Sequence, residues 1–180
     1  MTANQGGQTT GNELQRELAA RHQDAYAWAL NCCRRNRSDA EDVLQETYLK
    51  VLDGRARFDR RSTFTTWLFG VVRLTAAAQR RRRVMRAIFS ARALAEDSFR
   101  DPQPTADAGV EASQRHAAFE RALVSLSQRQ REVVVLVFYN EMTVEEAARV
   151  MAISVGAARQ HFARGKANLR QVLAPFKTTQ

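Results

Sequence analysis

The sequence predicts an all-α protein of two small helical domains joined by an acidic flexible linker, the second domain carrying a helix-turn-helix. Three observations lead there. The 180 residues include only eight Gly and three Pro, too little turn material for a fold of many short strands. Apolar residues recur every three to four positions in segment after segment, the period of a helix with one buried face. Finally, Pro102, Pro104 and Gly109 gather with four acids between about residues 95 and 109, dividing the helical segments into two groups.

Taken in order, residues 1–12 are expected to form a disordered tail. Residues 13–35 read as one helix, with Leu14, Leu18, Tyr26, Trp28, Leu30 and Cys33 as its apolar surface. Ser38, with Glu41 three residues on, is the expected cap of a second helix running through Val43, Leu44, Tyr48 and Val51 to a stop near Gly54. A third helix is expected from about Thr63 to Arg83. Its inward residues are Phe64, Trp67, Leu68, Val71, Thr75 and Ala78, and its opposite face carries Thr66, Phe69, Gly70 and Arg73. These make a first domain at 13–94, followed by the linker at 95–115 and a second domain at 116–176. There Phe119, Leu123 and Leu126 share a face, and Gln128–Phe138 is a strongly apolar helix. Thr143 with Glu146 caps a short helix through Val150, Met151 to Ser154 turn, and a last helix runs from Val155 to about Leu173.

The charge is +9, from 28 Lys and Arg against 19 Asp and Glu, which asks for a polyanionic partner. It is distributed in blocks. Residues 39–53 carry −4, residues 55–92 carry +10 with eleven arginines, residues 93–111 carry −4, and residues 159–180 hold five bases and no acid. The longest apolar run, Val133 to Phe138, is six residues, against roughly 20 for a membrane span. With a polar N-terminus unlike a signal peptide, the expectation is a cytoplasmic protein without membrane insertion. Cys32 and Cys33 are adjacent and have no metal-ligand spacing, so both are expected as packed thiols. No nucleophile–base pair or metal cluster appears, and His22, His116 and His161 are scattered. The chain is therefore expected not to be an enzyme and to use no cofactor or metal.

Two short helices joined by a tight turn, the second basic, form the pattern that reads duplex DNA. On the last helix Ala158, Phe162, Gly165 and Leu169 are expected inward, with Gly156, Gln160, Ala163, Arg164 and Ala167 outward. Small residues let a helix sit deep in the major groove, where Gln160 suits adenine and Arg164 suits guanine or phosphate. Arg159, Lys166 and Arg170 flank this strip and suit backbone phosphates. Around Arg57–Thr63, arginines and Phe58 together have the composition of a single-strand binding loop, and Phe58 and Phe69 are the candidates to meet bases. Arg80–Arg83 are expected at a helix C-terminus. Asp39, Asp42 and Glu46 lie on one helix face with Glu41 and Gln45 beside them; like charges at that spacing weaken a helix, so a basic protein partner is the functional reading and a solvated face the bland one.

These residues carry a resemblance. Asp39-Ala40-Glu41-Asp42-x-x-Gln45-Glu46-Thr47, then Arg57-Phe58-Asp59-x-x-Ser62-x-Phe64-x-Thr66-Trp67-Leu68, resembles the first conserved domain of bacterial RNA polymerase sigma factors of the extracytoplasmic-function (ECF) group. Leu126-Ser127-x-Arg129-Gln130-Arg131-Glu132-Val133, Met142-Thr143-Val144-Glu145-Glu146-Ala147-Ala148 and Ser154-Val155-Gly156 resemble its second. The resemblance implies a dissociable initiation factor with core RNA polymerase, promoter DNA and an anti-sigma factor as partners. Asp39, Glu41, Asp42, Gln45 and Glu46 would dock on the clamp helices of the polymerase β′ subunit, with the β subunit also in contact. The melted minus-ten element would meet Arg57, Phe58, Asp59, Arg60, Arg61, Ser62, Phe69, Arg73, Arg80 and Arg81. The minus-thirty-five element would meet Ser154, Gly156, Ala157, Arg159, Gln160, His161, Arg164 and Lys166. Several positions depart from the usual family pattern: Leu74 follows Arg73 in place of Asn, Ala78 replaces an Asp, and the last helix opens Gly156-Ala157-Ala158-Arg159-Gln160-His161. The alternatives are a stand-alone DNA-binding regulator that dimerises through its N-terminal half, and a sigma-like decoy that sequesters a regulator.

Overall fold

The computed structural model describes residues 5–91, 122–123 and 125–173. Seven helices and no strand are present among them, in two units divided at Pro102. The first unit holds α1 (Gln5–Ala20), α2 (His22–Cys32), α3 (Arg37–Leu52) and α4 (Phe64–Ala91); the second holds α5 (Gln128–Phe138), α6 (Val144–Met151) and α7 (Val155–Leu173). The expected linker and Phe119 lie outside the described residues. None of the described helices is long and apolar enough to cross a membrane.

In the first unit α2, α3 and α4 pack on one another around Trp28, Val43, Leu44, Leu68, Phe69 and Val72, while α1 leans on α3. Five expectations change here. The single helix expected at 13–35 is two. Arg21 leaves helical geometry between them (φ −111°, ψ 13°). Its side chain is drawn to the start of α4, where Nε donates to Thr65 Oγ1 at 2.9 Å and the guanidinium lies 5.5 Å from the Phe64 ring centroid. Helix α1 also reaches back to Gln5, into the expected tail, because extending a nucleated helix costs far less than starting one. The cap of α3 is Asn36, not Ser38. Asn36 Oδ1 accepts from the Asp39 backbone N–H at 3.0 Å, and Ser38 stands exposed in the first turn. Helix α4 continues eight residues past Arg83, so the arginine run is a mid-helix feature.

The fifth correction concerns which side of α4 is buried. Thr63 caps it, with Oγ1 accepting from Thr66 N–H at 3.2 Å. From there the buried stripe runs through Phe64, Leu68, Phe69, Val72, Thr75 and Ala76: Phe64, Leu68 and Thr75 face inward as expected, while Trp67, Val71 and Ala78 are only half-buried and Phe69, Val72 and Ala76 fill the core beside them. Phe69, expected outward against DNA, is fully buried. Its ring stacks on Trp28 at 5.8 Å and its carbonyl accepts from Trp28 Nε1–H at 3.0 Å. A buried indole needs both an apolar neighbour and an acceptor, and Phe69 supplies both. Thr66, expected on the outer face, is buried as well.

The second unit follows the spacing closely. Helix α7 packs on α5 and α6 around Ala122, Leu123, Leu126, Val134 and Leu169, with Phe162 half-buried against this cluster. Gly165 is where α7 meets α5: a Cβ there would come within 2.9 Å of Val134 Cγ2. Thr143 and Glu146 form the expected capping box, with Thr143 N–H donating to Glu146 Oε2 at 2.9 Å and Glu146 N–H donating to Thr143 Oγ1 at 3.2 Å. The turn is made by Ala152 in the left-handed region (φ 52°), then by Ser154, whose Oγ accepts from Ala157 N–H at 3.2 Å and starts α7.

Candidate functional site

The acidic ridge divides once folded. Glu41, Asp42 and Gln45 stand exposed on α3. Asp39 and Glu46 are turned to α4 instead. Both Asp39 oxygens accept from the Arg83 guanidinium. Glu46 pairs with Lys50 at 2.8 Å and Arg82 at 3.2 Å, and accepts from Gln79 Nε2 at 3.2 Å. The hydrogen bond from Lys50, helped by those from Gln79 and Arg82, holds the Glu46 carboxyl down to about 2, although partial burial opposes the shift.

This carries a pH signature. A carboxyl titrating near 4.5 unfolded and near 2 folded contributes stability above pH 4.5 and loses it as pH falls through that window. Urea unfolding of Glu46→Gln is expected to give a lower midpoint than wild type at pH 7, with the gap closing between pH 4.5 and pH 2. A gap independent of pH would contradict the pairing.

Arg82 and Arg83 were not singled out as inter-helix partners from sequence. The available signal was the opposite charge of two long helices in one domain. Exposed Arg80 and Arg81 remain on the solvent side of the same helix.

Between α3 and α4 the loop is held by its own side chains. Phe58 is half-buried, its ring edge-on to Phe64 at 5.4 Å and tilted against Trp67 at 5.3 Å. Its ring therefore anchors the loop to the start of α4. Asp59 Oδ1 accepts from the Arg61 N–H at 3.1 Å, and Arg57 Nε donates to the Gly54 carbonyl at 3.3 Å. Arg60 takes a positive φ of 60°. Arg57, Arg60 and Arg61 are all exposed; Ser62, which donates to the Thr63 carbonyl at 3.2 Å, and Arg73 on α4 are half-buried.

On α7 the two faces lie as the spacing requires. Ala158, Gly165 and Leu169 are buried, while Gly156, Gln160, Ala163, Arg164 and Ala167 are exposed. Ala157 and His161 are half-buried at the edge. Arg159 pairs with Glu145 of α6 at 2.8 Å, and Lys166 lies over the Phe162 ring, 4.5 Å from its centroid. Their side chains are thus pre-positioned beside the exposed strip. Cys32 is buried and Cys33 half-buried, both as free thiols; burial pushes Cys33 up to about 11, so it stays protonated at neutral pH. Among the described residues no three His, Cys, Asp or Glu side chains gather to hold a metal ion.

An acidic edge together with basic surfaces on two units suits a protein that bridges a basic protein and nucleic acid, as transcription initiation factors do. Comparison with known proteins narrows the class. Residues 18–86 match the family Sigma-70 region 2, and residues 116–169 match Sigma-70, region 4. The chain is 33% identical over 163 residues to RNA polymerase sigma factor CarQ of Myxococcus xanthus, covering 89% of this chain and 90% of that one. It is 29% identical over 164 residues to ECF RNA polymerase sigma factor SigM of Mycobacterium tuberculosis, covering 90% and 78%. In fold it is similar to sigma factor RpoE of Bartonella quintana, solved in complex with the anti-sigma factor NepR. That match has a TM-score of 0.69 and 23% identity, over 93% of this chain and 99% of RpoE. The chain belongs to the ECF group of RNA polymerase sigma factors, dissociable factors that bind core polymerase and direct it to specific promoters.

Proposed function

We propose that the two units divide the work by residue. The first, residues 13–94, docks core polymerase through Glu41, Asp42 and Gln45, with Asp39 and Glu46 shaping that surface from within. It holds the opened minus-ten strand with Arg57, Arg60, Arg61, Arg73, Arg80 and Arg81. The second, residues 116–176, enters the major groove at minus thirty-five with Gly156, Ala157, Gln160 and Arg164, while Ser154, Arg159, His161 and Lys166 lie along the phosphates. The linker at 95–115 tethers the two. The chain performs no covalent chemistry, works in the cytoplasm and is bound by an anti-sigma factor, as RpoE is in its complex with NepR. What carries this reading is the exposed strip of α7, small except for Gln160 and Arg164 and flanked by cations.

Promoter selection from a library randomised around minus thirty-five tests it. Gln160→Ala and Arg164→Ala are each expected to flatten base preference at one or two positions, by about 10- to 100-fold per lost bidentate contact. Lys166→Ala is expected to weaken binding evenly across sequences and to reduce its salt dependence. Unchanged preference in the first two variants would place the reading strip elsewhere.

A further inference from the structure

A left-handed backbone is easy for glycine, tolerable for asparagine and costly for other residues, so a long side chain kept there asks for a reason. Among the described residues five non-glycine positions have positive φ, and three of them are arginines: Arg34 (52°), Arg35 (67°) and Arg60 (60°). Arg60 belongs to the loop already read as holding the opened strand. Arg34 and Arg35 end α2, where the Arg35 N–H donates to the Leu30 carbonyl at 2.8 Å and glycine is the commonest choice. Closing the helix uses only backbone groups, which leaves the choice of arginine at 34 to its side chain.

That side chain has cationic company. Arg34 and, at the start of α3, Arg37 are exposed, and neither has an ion-pair partner among the described residues. The far half of α4 lies beside them. Asp39, two residues past Arg37, holds Arg83 through both carboxylate oxygens, and the Cys33 thiol, one residue before Arg34, is within reach of the charges of Arg80 and Arg83. Arg83 neutralises Asp39, and Asp42, one turn further along α3, belongs to the acidic edge. Arg34, Arg37 and Arg80 therefore make one cationic patch from segments more than forty residues apart. Arginines on a turn, with no helix to carry them into a groove, suit the phosphate backbone and not the base edges.

We propose that Arg34 and Arg37 form a phosphate-binding patch: together with Arg80 they hold the promoter duplex just upstream of the opened segment. Arg80 lies sixteen residues along α4 from Phe64, about 24 Å at the rise of an α-helix, which corresponds to about seven base pairs of duplex. DNA that follows α4 away from the strand-holding loop thus meets the patch while still paired. The assignment rests on reading α4 as the promoter-facing helix. It adds to that reading the α2–α3 turn, a segment outside the 57–63 loop and outside the second unit.

The test uses the holoenzyme and a promoter fragment selected from a random-sequence library by the wild-type protein, with affinity measured over a series of salt concentrations. Arg34→Gly/Arg37→Gln is expected to bind about 10-fold more weakly at moderate salt, with the slope of log affinity against log salt reduced by about 1 to 2. Hydroxyl-radical footprinting is expected to lose protection about seven base pairs upstream of the opened segment, and reselection to return the wild-type sequence. Arg34→Lys/Arg37→Lys is expected to restore most of the affinity. Wild-type affinity and slope in the glycine–glutamine variant would overturn the proposal. So would weaker binding to core polymerase with promoter affinity unchanged, which would give the turn to the polymerase. Arg34→Gly alone is expected to melt at or above the wild-type temperature, because glycine eases the left-handed turn; a lowered melt would give the arginine a structural reason and overturn the proposal too. The variant Arg60→Ala/Arg61→Ala separates the causes. If it weakens promoter binding while the turn variant does not, the patch alone is wrong; if neither does, the promoter-facing reading falls and the patch with it.

Discussion

Trp28→Ala is expected to lower the melting temperature of the first unit by on the order of 15 °C or more. Trp28 is fully buried where α2 meets α4, stacked on Phe69 and bonded through Nε1–H to the Phe69 carbonyl. Truncating a buried Trp to Ala typically costs about 3–5 kcal/mol through lost transfer energy and the cavity left behind. For a domain of this size each kcal/mol shifts the midpoint by about 4–8 °C, and the whole stability of a domain is only about 5–15 kcal/mol. Thermal melting followed by far-UV circular dichroism checks it, with Trp28→Phe as the milder companion that keeps the stack and loses only the hydrogen bond. A melt within a few degrees of wild type would mean that the α2–α4 contact does not hold the unit together.

Reversing charge at two exposed positions, Glu41→Arg with Asp42→Arg, is expected to weaken core polymerase binding by about 100-fold or more. Apposing like charges across an interface costs several kcal/mol, and these two side chains face solvent on α3. Because neither makes the inter-helix pairs that Asp39 and Glu46 make, melting should stay close to wild type. Asp39→Ala should behave differently: it strands Arg83 and lowers stability along with any loss of docking. Binding measured by anisotropy against labelled core polymerase, beside a melt of each variant, separates the two classes. Equal polymerase affinity in the double reversal would remove α3 from the docking surface.

The second unit was legible almost residue by residue, and the first was not. In the second unit the helices are amphipathic and announced by local signals, so period and cap chemistry suffice. Thr143 with Glu146 marks the start of α6 from side chains three residues apart. The first unit is decided by contacts that are distant in sequence. Arg21 breaks a helix because of Thr65 and Phe64, more than forty residues on. Phe69 turns inward because Trp28 needs an acceptor and a ring. On α4, apolar residues occur on more than one side, Leu74 and Phe69 among them, so the sequence offers two stripes and packing against α2 chooses between them. The acidic ridge shows the same limit. Charge at helical spacing was visible, but only the folded pairing of Arg82 and Arg83 separates the acids facing inward from those facing outward.

The most direct test of the account is transcription reconstituted from core polymerase, this chain and sheared genomic DNA, with the 5′ ends of the transcripts sequenced. Start sites are expected that appear only when the chain is present and that share two upstream elements at fixed spacing. The Glu41→Arg/Asp42→Arg variant is expected to lose these transcripts, and Gln160→Ala to change the upstream element alone. Transcripts independent of the chain, or tight specific DNA binding by the chain without polymerase, would contradict it.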